Sequence, residues 1–191
     1  MFKLVSEHFL KMMIIFTVGV VFTACNDDGT PTAPATEPDV DDISATATVA
    51  VSDENPEGPY AGEGSSKLID VDKNTKFLTF DFHPDFWIQQ DFEEEVAINA
   101  YTITSGNDAP ERDPQDWTLA GSNDGGTTWE TIHTITDATF SDRNKVNIYH
   151  LDSEATYAFF RLSITDNAGE TTLMQLSEWR LLHYNGEIPE M

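Results

Sequence analysis

From residue 43 to residue 184 apolar and polar side chains alternate in short runs, divided by Gly, Pro, Asn and Asp. Alternation with period two marks a strand with one buried face. Ala47, Val49 and Val51 alternate with Thr46, Thr48 and Ala50, and Phe160, Leu162 and Ile164 alternate with Arg161, Ser163 and Thr165. Further strands are predicted at Phe77–Phe82, Phe86–Phe92, Val96–Thr104, Trp117–Leu119, Glu130–Thr136, Val146–Leu151 and Leu176–Tyr184. Glu93-Glu94-Glu95 reads as an acidic turn between two of them. Ser52–Ser66 reads as a long loop, and Lys67–Phe77 as a turn or short helical turn. Outside the first 25 residues no window carries the period of a long amphipathic helix. Many short strands at regular spacing predict a single all-β domain, a β-sandwich whose end loops are free to bind.

Asn107–Trp129 holds the densest set of signals. Asn107, Asp108, Glu111, Arg112 and Asp113 crowd around two prolines, which gives a stiff loop rich in hydrogen-bonding groups. Ser122-Asn123-Asp124-Gly125-Gly126 is a hairpin signal, since Asn, Asp and Gly tolerate positive φ. A sugar site needs an apolar face and planar polar groups. Arg112 offers a fork of donors, and Asn107, Asp108 and Asp113 offer acceptors. Trp117, Phe86, Trp87 or Tyr60 could supply the platform, and His83 in a second aromatic-rich loop could join it. The alternatives are an intraloop ion pair for Arg112, a core position for Trp117 and simple solvation for His83.

The first 42 residues follow other rules. Lys3 and Lys11 precede the apolar run Met12–Ala24, which is too short to span a membrane and reads as a signal peptide over residues 1–24. Phe22-Thr23-Ala24-Cys25 resembles a bacterial lipobox, which implies cleavage before Cys25 and acylation of that cysteine. Cys25 is the only cysteine, so disulfides and thiolate metal clusters are excluded. Asn26-Asp27-Asp28-Gly29 resembles the export signal of Bacteroidetes-type surface lipoproteins, with a solvated linker as the alternative. Thr30–Asp42 is rich in Pro, Thr and Asp, so residues 25–42 read as tether and semi-rigid spacer. The domain is expected at residues 43–185, with a short tail at 186–191.

Composition narrows the partners. Thirty-four acidic against ten basic residues give a net charge of −24. Such a surface repels phosphate backbones, anionic lipids and sulfated glycans, which leaves neutral ligands and cations. Nucleic acid is excluded, and the membrane is reached only through the lipid anchor.

Five stretches recur in a known order: Lys67–Phe77 (KLIDVDKNTKF), Trp87–Phe92 (WIQQDF), Trp117–Gly125 (WTLAGSNDG), Phe159–Ile164 (FFRLSI) and Gln175–Trp179 (QLSEW). Together they resemble the coagulation factor V/VIII type C, or discoidin, domain, which overlaps with galactose-binding-like carbohydrate-binding modules. The resemblance covers Ile43–Tyr184 and implies a jelly-roll sandwich. It also implies a structural calcium ion held by the carbonyls of Lys67, Asp72 and Ser177 and the side chains of Asp70, Thr75 and Glu178. Calcium takes about six to eight hard oxygens, and turns supply free carbonyls. Two positions depart from the family pattern: Val71 stands where Gly is usual, and Gln90 where an apolar residue is commoner. Leu78 occupies the place of a galactose-contacting His, so galactose specificity does not carry over.

Catalysis finds no motif. The chain lacks G-x-S-x-G, H-E-x-x-H and a phosphate-binding glycine loop. Ser122–Trp129 resembles the Asp-box hairpin of sialidase propellers, but it occurs once, and a propeller needs at least ~4 blades. His133, His150 and His183 have no zinc-like spacing. The expectation is a monomeric, lipid-anchored protein at the outer membrane or cell surface, not an enzyme, that binds a neutral glycan or glycoprotein. The alternative is an adhesion or assembly module that binds protein surfaces.

Overall fold

A computed structural model describes residues 39–169 and 171–186. The signal peptide, Cys25 and the spacer up to residue 38 lie outside the described residues, as does the tail beyond Gly186. Within them nine strands follow in order: β1 Val40–Asp42, β2 Thr48–Val51, β3 Phe77–Thr79, β4 Trp87–Thr104, β5 Pro114–Ser122, β6 Glu130–Ile135, β7 Val146–Asn167, β8 Met174–Leu176 and β9 Glu178–Tyr184. The only helical pieces described are single 3₁₀ turns at Ile43–Thr46, Ser65–Ile69 and Pro110–Arg112. All pairings are antiparallel.

One large sheet runs β1-β9-β4-β7-β5-β6, with β2 added to β4, while β3 and β8 pair separately. It makes two layers because β4 and β7 bend together. The first half of β4 pairs with β2 and the end of β7, and its second half with β9 and the start of β7. Bonds across the layers fix the stack: Gln90 Nε2 donates to the Trp179 carbonyl at 3.0 Å, and Trp117 Nε1 to the Tyr101 hydroxyl at 3.0 Å. Trp117, Trp179, Tyr101, Phe77, Phe86 and Phe160 fill the space between. The all-β sandwich expected from the alternation is therefore present.

Several boundaries differ from the sequence reading. Glu93–Glu95 is no turn but an exposed bulge inside β4, where the pairing passes from Asp91↔Phe159 to Val96↔Tyr157. The extra residues sit on one strand only, so the strand bends without ending. Val146–Leu151 and Phe159–Thr165 likewise belong to one strand, β7. The last predicted strand is broken at Ser177, whose N–H turns to the Thr104 carbonyl at 2.8 Å. Val40–Asp42, placed in the spacer, pairs with Leu182–Tyr184 as β1. The hairpin after β5 forms as predicted, with Gly125 and Gly126 at φ 72° and 78°.

Candidate functional site

The Ser65–Ile69 turn ends at Asp70, and the chain reverses through Val71 at φ 65°, a left-handed conformation that β-branched residues rarely take. Side chains over-determine the turn. Asp70 Oδ1 accepts the Asp72 N–H at 3.0 Å, and Asp72 Oδ1 accepts the Asn74 N–H at 3.0 Å. Thr75 Oγ1 stands 2.9 Å from both Asp70 Oδ2 and the Asp72 carbonyl. Lys67 Nζ lies 3.2 Å from Asp70 Oδ2.

Glu178, the first residue of β9, is brought beside Asp70 although the two are far apart in sequence. It is 5% exposed, and its Oε1 is buried with no partner among the described residues. Its Oε2 lies 3.4 Å from Arg180 Nη1. Burial first, then the neighbouring Asp70 carboxylate, push the Glu178 carboxyl up to about 8 against the pull of Arg180. Burial raises Asp70 as well, but hydrogen bonds from the Asp72 N–H, Thr75 and Lys67 outweigh it and leave this carboxyl below the usual range. Two carboxylates, one held up and one held down, thus meet where a cation could sit. The donor set is all oxygen and suits calcium. Among the described residues no three His, Cys, Asp or Glu side chains gather as a metal set, so a cation here rests on two carboxylates, Thr75 and carbonyls.

The predicted ligand residues do not form one cluster. Trp117 is 1% exposed and bonded to Tyr101, so it belongs to the core and cannot meet a ligand. Asp113 is also removed: it is buried, and Arg143, thirty positions away, grips both its oxygens at 2.9 and 2.5 Å. Burial nevertheless raises the Asp113 carboxyl, with Arg143 pulling the other way. Phe86 is fully buried, and Trp87 lies against Arg161, whose guanidinium is 4.4 Å from the Trp87 ring and 4.1 Å from the Trp129 ring. His83 Nε2 is 3.0 Å from Asp53 Oδ2. Among the described residues Arg112 forms an ion pair with Glu111 alone, at 3.9 Å, and its buried Nε has no hydrogen-bond partner.

Asn107 and Asp108 do come together. Asn107 Nδ2 donates to the Asn74 carbonyl at 3.0 Å. Asp108 Oδ1 lies 2.5 Å from Lys76 Nζ, which also meets Gln175 Oε1 at 3.0 Å and Glu63 Oε1 at 3.5 Å. The hydrogen bond from Lys76 holds the Asp108 carboxyl below its ordinary value. Glu63 leads on to a cleft of about 420 Å³ lined by Asn55, Pro56, Glu57, Gly62, Glu63 and Phe80. Phe80 is 52% exposed there, and Tyr60 on the same long loop is 90% exposed. The alternation had put Phe80 on a strand, but β3 ends at Thr79, and the ring turns outward. The signal was present in Phe80-Asp81-Phe82-His83-Pro84, an aromatic pair followed by a loop-forming Pro.

Comparison with known proteins fits this architecture. Residues 45–179 match the family model described as the F5/8 type C domain. A segment of 88 residues is 40% identical to the Arabidopsis thaliana peptide-N(4)-(N-acetyl-beta-glucosaminyl)asparagine amidase, over 44% of this chain and 12% of that protein. The chain thus spans a small part of that enzyme's length. An F5/8 type C domain from Bacteroides fragilis superposes with TM-score 0.62 at 18% identity, covering 77% of this chain and 97% of that one. A family 32 carbohydrate-binding module from C. perfringens, solved with galactose, gives 0.61 at 14% identity, covering 75% and 99%. A chitosan-binding module from Paenibacillus sp. IK-5 gives 0.58 at 18% identity, covering 74% and 98%. At these identities the structures show the shared fold. With the family model matched over most of its length, this chain belongs to the F5/8 type C domain family.

Proposed function

We propose that the domain binds glycans without acting on them, through the cleft walled by Phe80 at the loop end. The observation that carries this is a half-exposed aromatic ring beside Glu57 and Glu63, continuous with the Lys76–Asp108 network. A ring face suits the C–H side of a sugar, and fixed polar groups suit its hydroxyls. The module solved with galactose and the chitosan-binding module support the ligand class. A net charge of −24 favours neutral or cationic sugars over sulfated ones. The binding reading, rather than hydrolysis, is supported by His83 being engaged by Asp53, Asp108 by Lys76 and Asp113 by Arg143. A glycan array probed with the full chain and with Phe80→Ala tests the reading. Signals for neutral or amino sugars that vanish in the variant, with an unchanged melt, support it. Equal binding by both refutes it.

In the same reading Asp70, Thr75 and Glu178, with the carbonyls of Lys67, Asp72 and Ser177, hold a structural calcium ion. The orphaned buried Oε1 of Glu178 supports this. Chelator and Asp70→Ala should each lower the melting temperature, and an unchanged melt with EDTA removes the site. Acylation of Cys25 would hold the monomeric domain at the outer membrane surface, where many tethered copies raise a weak affinity by avidity. Metabolic labelling with a fatty acid, lost in Cys25→Ala, checks the anchor. The rival protein-binding role draws on the exposed Tyr60 and Val71, and a Tyr60→Ala variant that keeps all glycan signals but loses a protein partner favours it.

A further inference from the structure

Strand β1 is three residues long, and all of them are exposed, so apolar burial does little to hold it. It is held by its pairing with Leu182–Tyr184, by an exposed hydrogen bond from Asn185 Nδ2 to Asp41 Oδ2 at 2.9 Å, and by Asp42, whose side chain meets a buried partner. Asp42 Oδ2 accepts Arg180 Nε at 2.9 Å and also the Arg180 Nη2 group. The third nitrogen, Nη1, donates to the Ile69 carbonyl at 2.6 Å, one residue before Asp70, and stands 3.4 Å from Glu178 Oε2. One buried guanidinium is therefore divided between the strand by which the chain enters the domain and the carboxylate pocket.

We propose that Asp42 and Arg180 couple the docking of β1 to cation binding at Asp70 and Glu178, so that each strengthens the other. The proposal rests on the calcium reading above. With Asp42 in place, two of the three guanidinium nitrogens are turned away from Glu178, and the buried Oε1 stays free to take a cation. Without Asp42 the same buried charge has Glu178 as its nearest carboxylate, and the high cost of an uncompensated buried charge favours pairing with it. Arg180 then competes with the metal. Coupling is reciprocal: whatever Asp42 does for cation affinity, the cation does for β1. Asp42 is thus a positioning residue that acts on the pocket through Arg180.

Calorimetric titration of the full chain with calcium chloride tests this, comparing wild type, Asp42→Asn, Arg180→Gln and the double variant. Wild type should bind, Asp42→Asn should bind about tenfold more weakly, and the Asp42→Asn effect should disappear in the Arg180→Gln background. Hydrogen exchange on the unmodified chain gives a second readout that no folding defect can obscure: calcium should slow exchange of the amides of residues 40–42 by about tenfold. No binding by wild type overturns the calcium reading and the coupling with it. Binding that is equal in wild type and Asp42→Asn, or exchange at β1 that ignores calcium, overturns the coupling alone.

Discussion

Replacing the exposed Val71 by glycine should stabilise this protein, against the usual direction of such a change. Val71 sits at φ 65° and is 77% exposed. The left-handed conformation costs an L-residue about 1–2 kcal/mol, and a β-branched side chain suffers most. Glycine adopts it freely but adds about 0.4–1 kcal/mol of chain entropy to the unfolded state. Little apolar burial is lost, because most of the side chain already faces water. The balance is a gain of roughly 0.5–1 kcal/mol, or about 1–4 °C in Tm for a chain of this size. The turn tolerates Val71 because hydrogen bonds to the Asp70 and Asp72 carboxylates impose its shape from both sides. Calorimetric melts in EDTA should rank Val71→Gly above Val71→Asn and both above wild type. A Val71→Gly protein that melts more than about 2 °C below wild type would show that the side chain makes a stabilising contact and would refute the strain reasoning.

Glu178 gives a pH signature. Its carboxyl is raised to about 8 in the folded, metal-free protein, so the stability it contributes is full below its unfolded value and is lost as pH rises through 8. Stability in EDTA should therefore fall between about pH 5 and pH 8, by at most about 1.4 kcal/mol per pH unit, and Glu178→Gln should flatten that slope in a denaturant titration. Arg161 stacks between Trp87 and Trp129 with its Nε and Nη2 on Gln89 Oε1 at 3.0 and 2.6 Å. Arg161→Met should lose about 1–2 kcal/mol, measured by urea unfolding, since the stem is kept while the cation over the two rings and its hydrogen bonds to Gln89 are removed. Phe80→Ala and Trp117→Ala should separate binding from folding: the first should change stability by less than about 1 kcal/mol, the second by about 3–5 kcal/mol.

What could be read in the sequence was what depends on near neighbours. Alternation around Phe160–Thr165 gave a true strand, and the Asn, Asp and Gly of Ser122–Gly126 gave a true hairpin with both glycines at positive φ. The resemblance also joined Asp70 to Glu178, which local pattern alone could not do. The failures have one physical origin, a partner far along the chain. Three consecutive glutamates break any alternation, and only the paired strand β7 shows that β4 continues past them. Asp113 lies next to Arg112 in sequence, yet Arg143 binds it, because the chain returns from β6 across the loop. Val40–Asp42 has spacer composition and becomes a strand through β9 and Arg180. Phe80 was hidden by the opposite error, a local alternation that outlasts the strand it describes.

Under the proposed function the loop end around Phe80 meets the ligand. Amide chemical-shift mapping of the full chain, titrated with a sugar selected on the array, tests it most directly. Shifts should gather at residues 55–63, 78–83 and 106–112, around the cleft and the Lys76–Asp108 network. Shifts confined to a second, separate cleft, around Glu130 and Leu151–Tyr157, would contradict it.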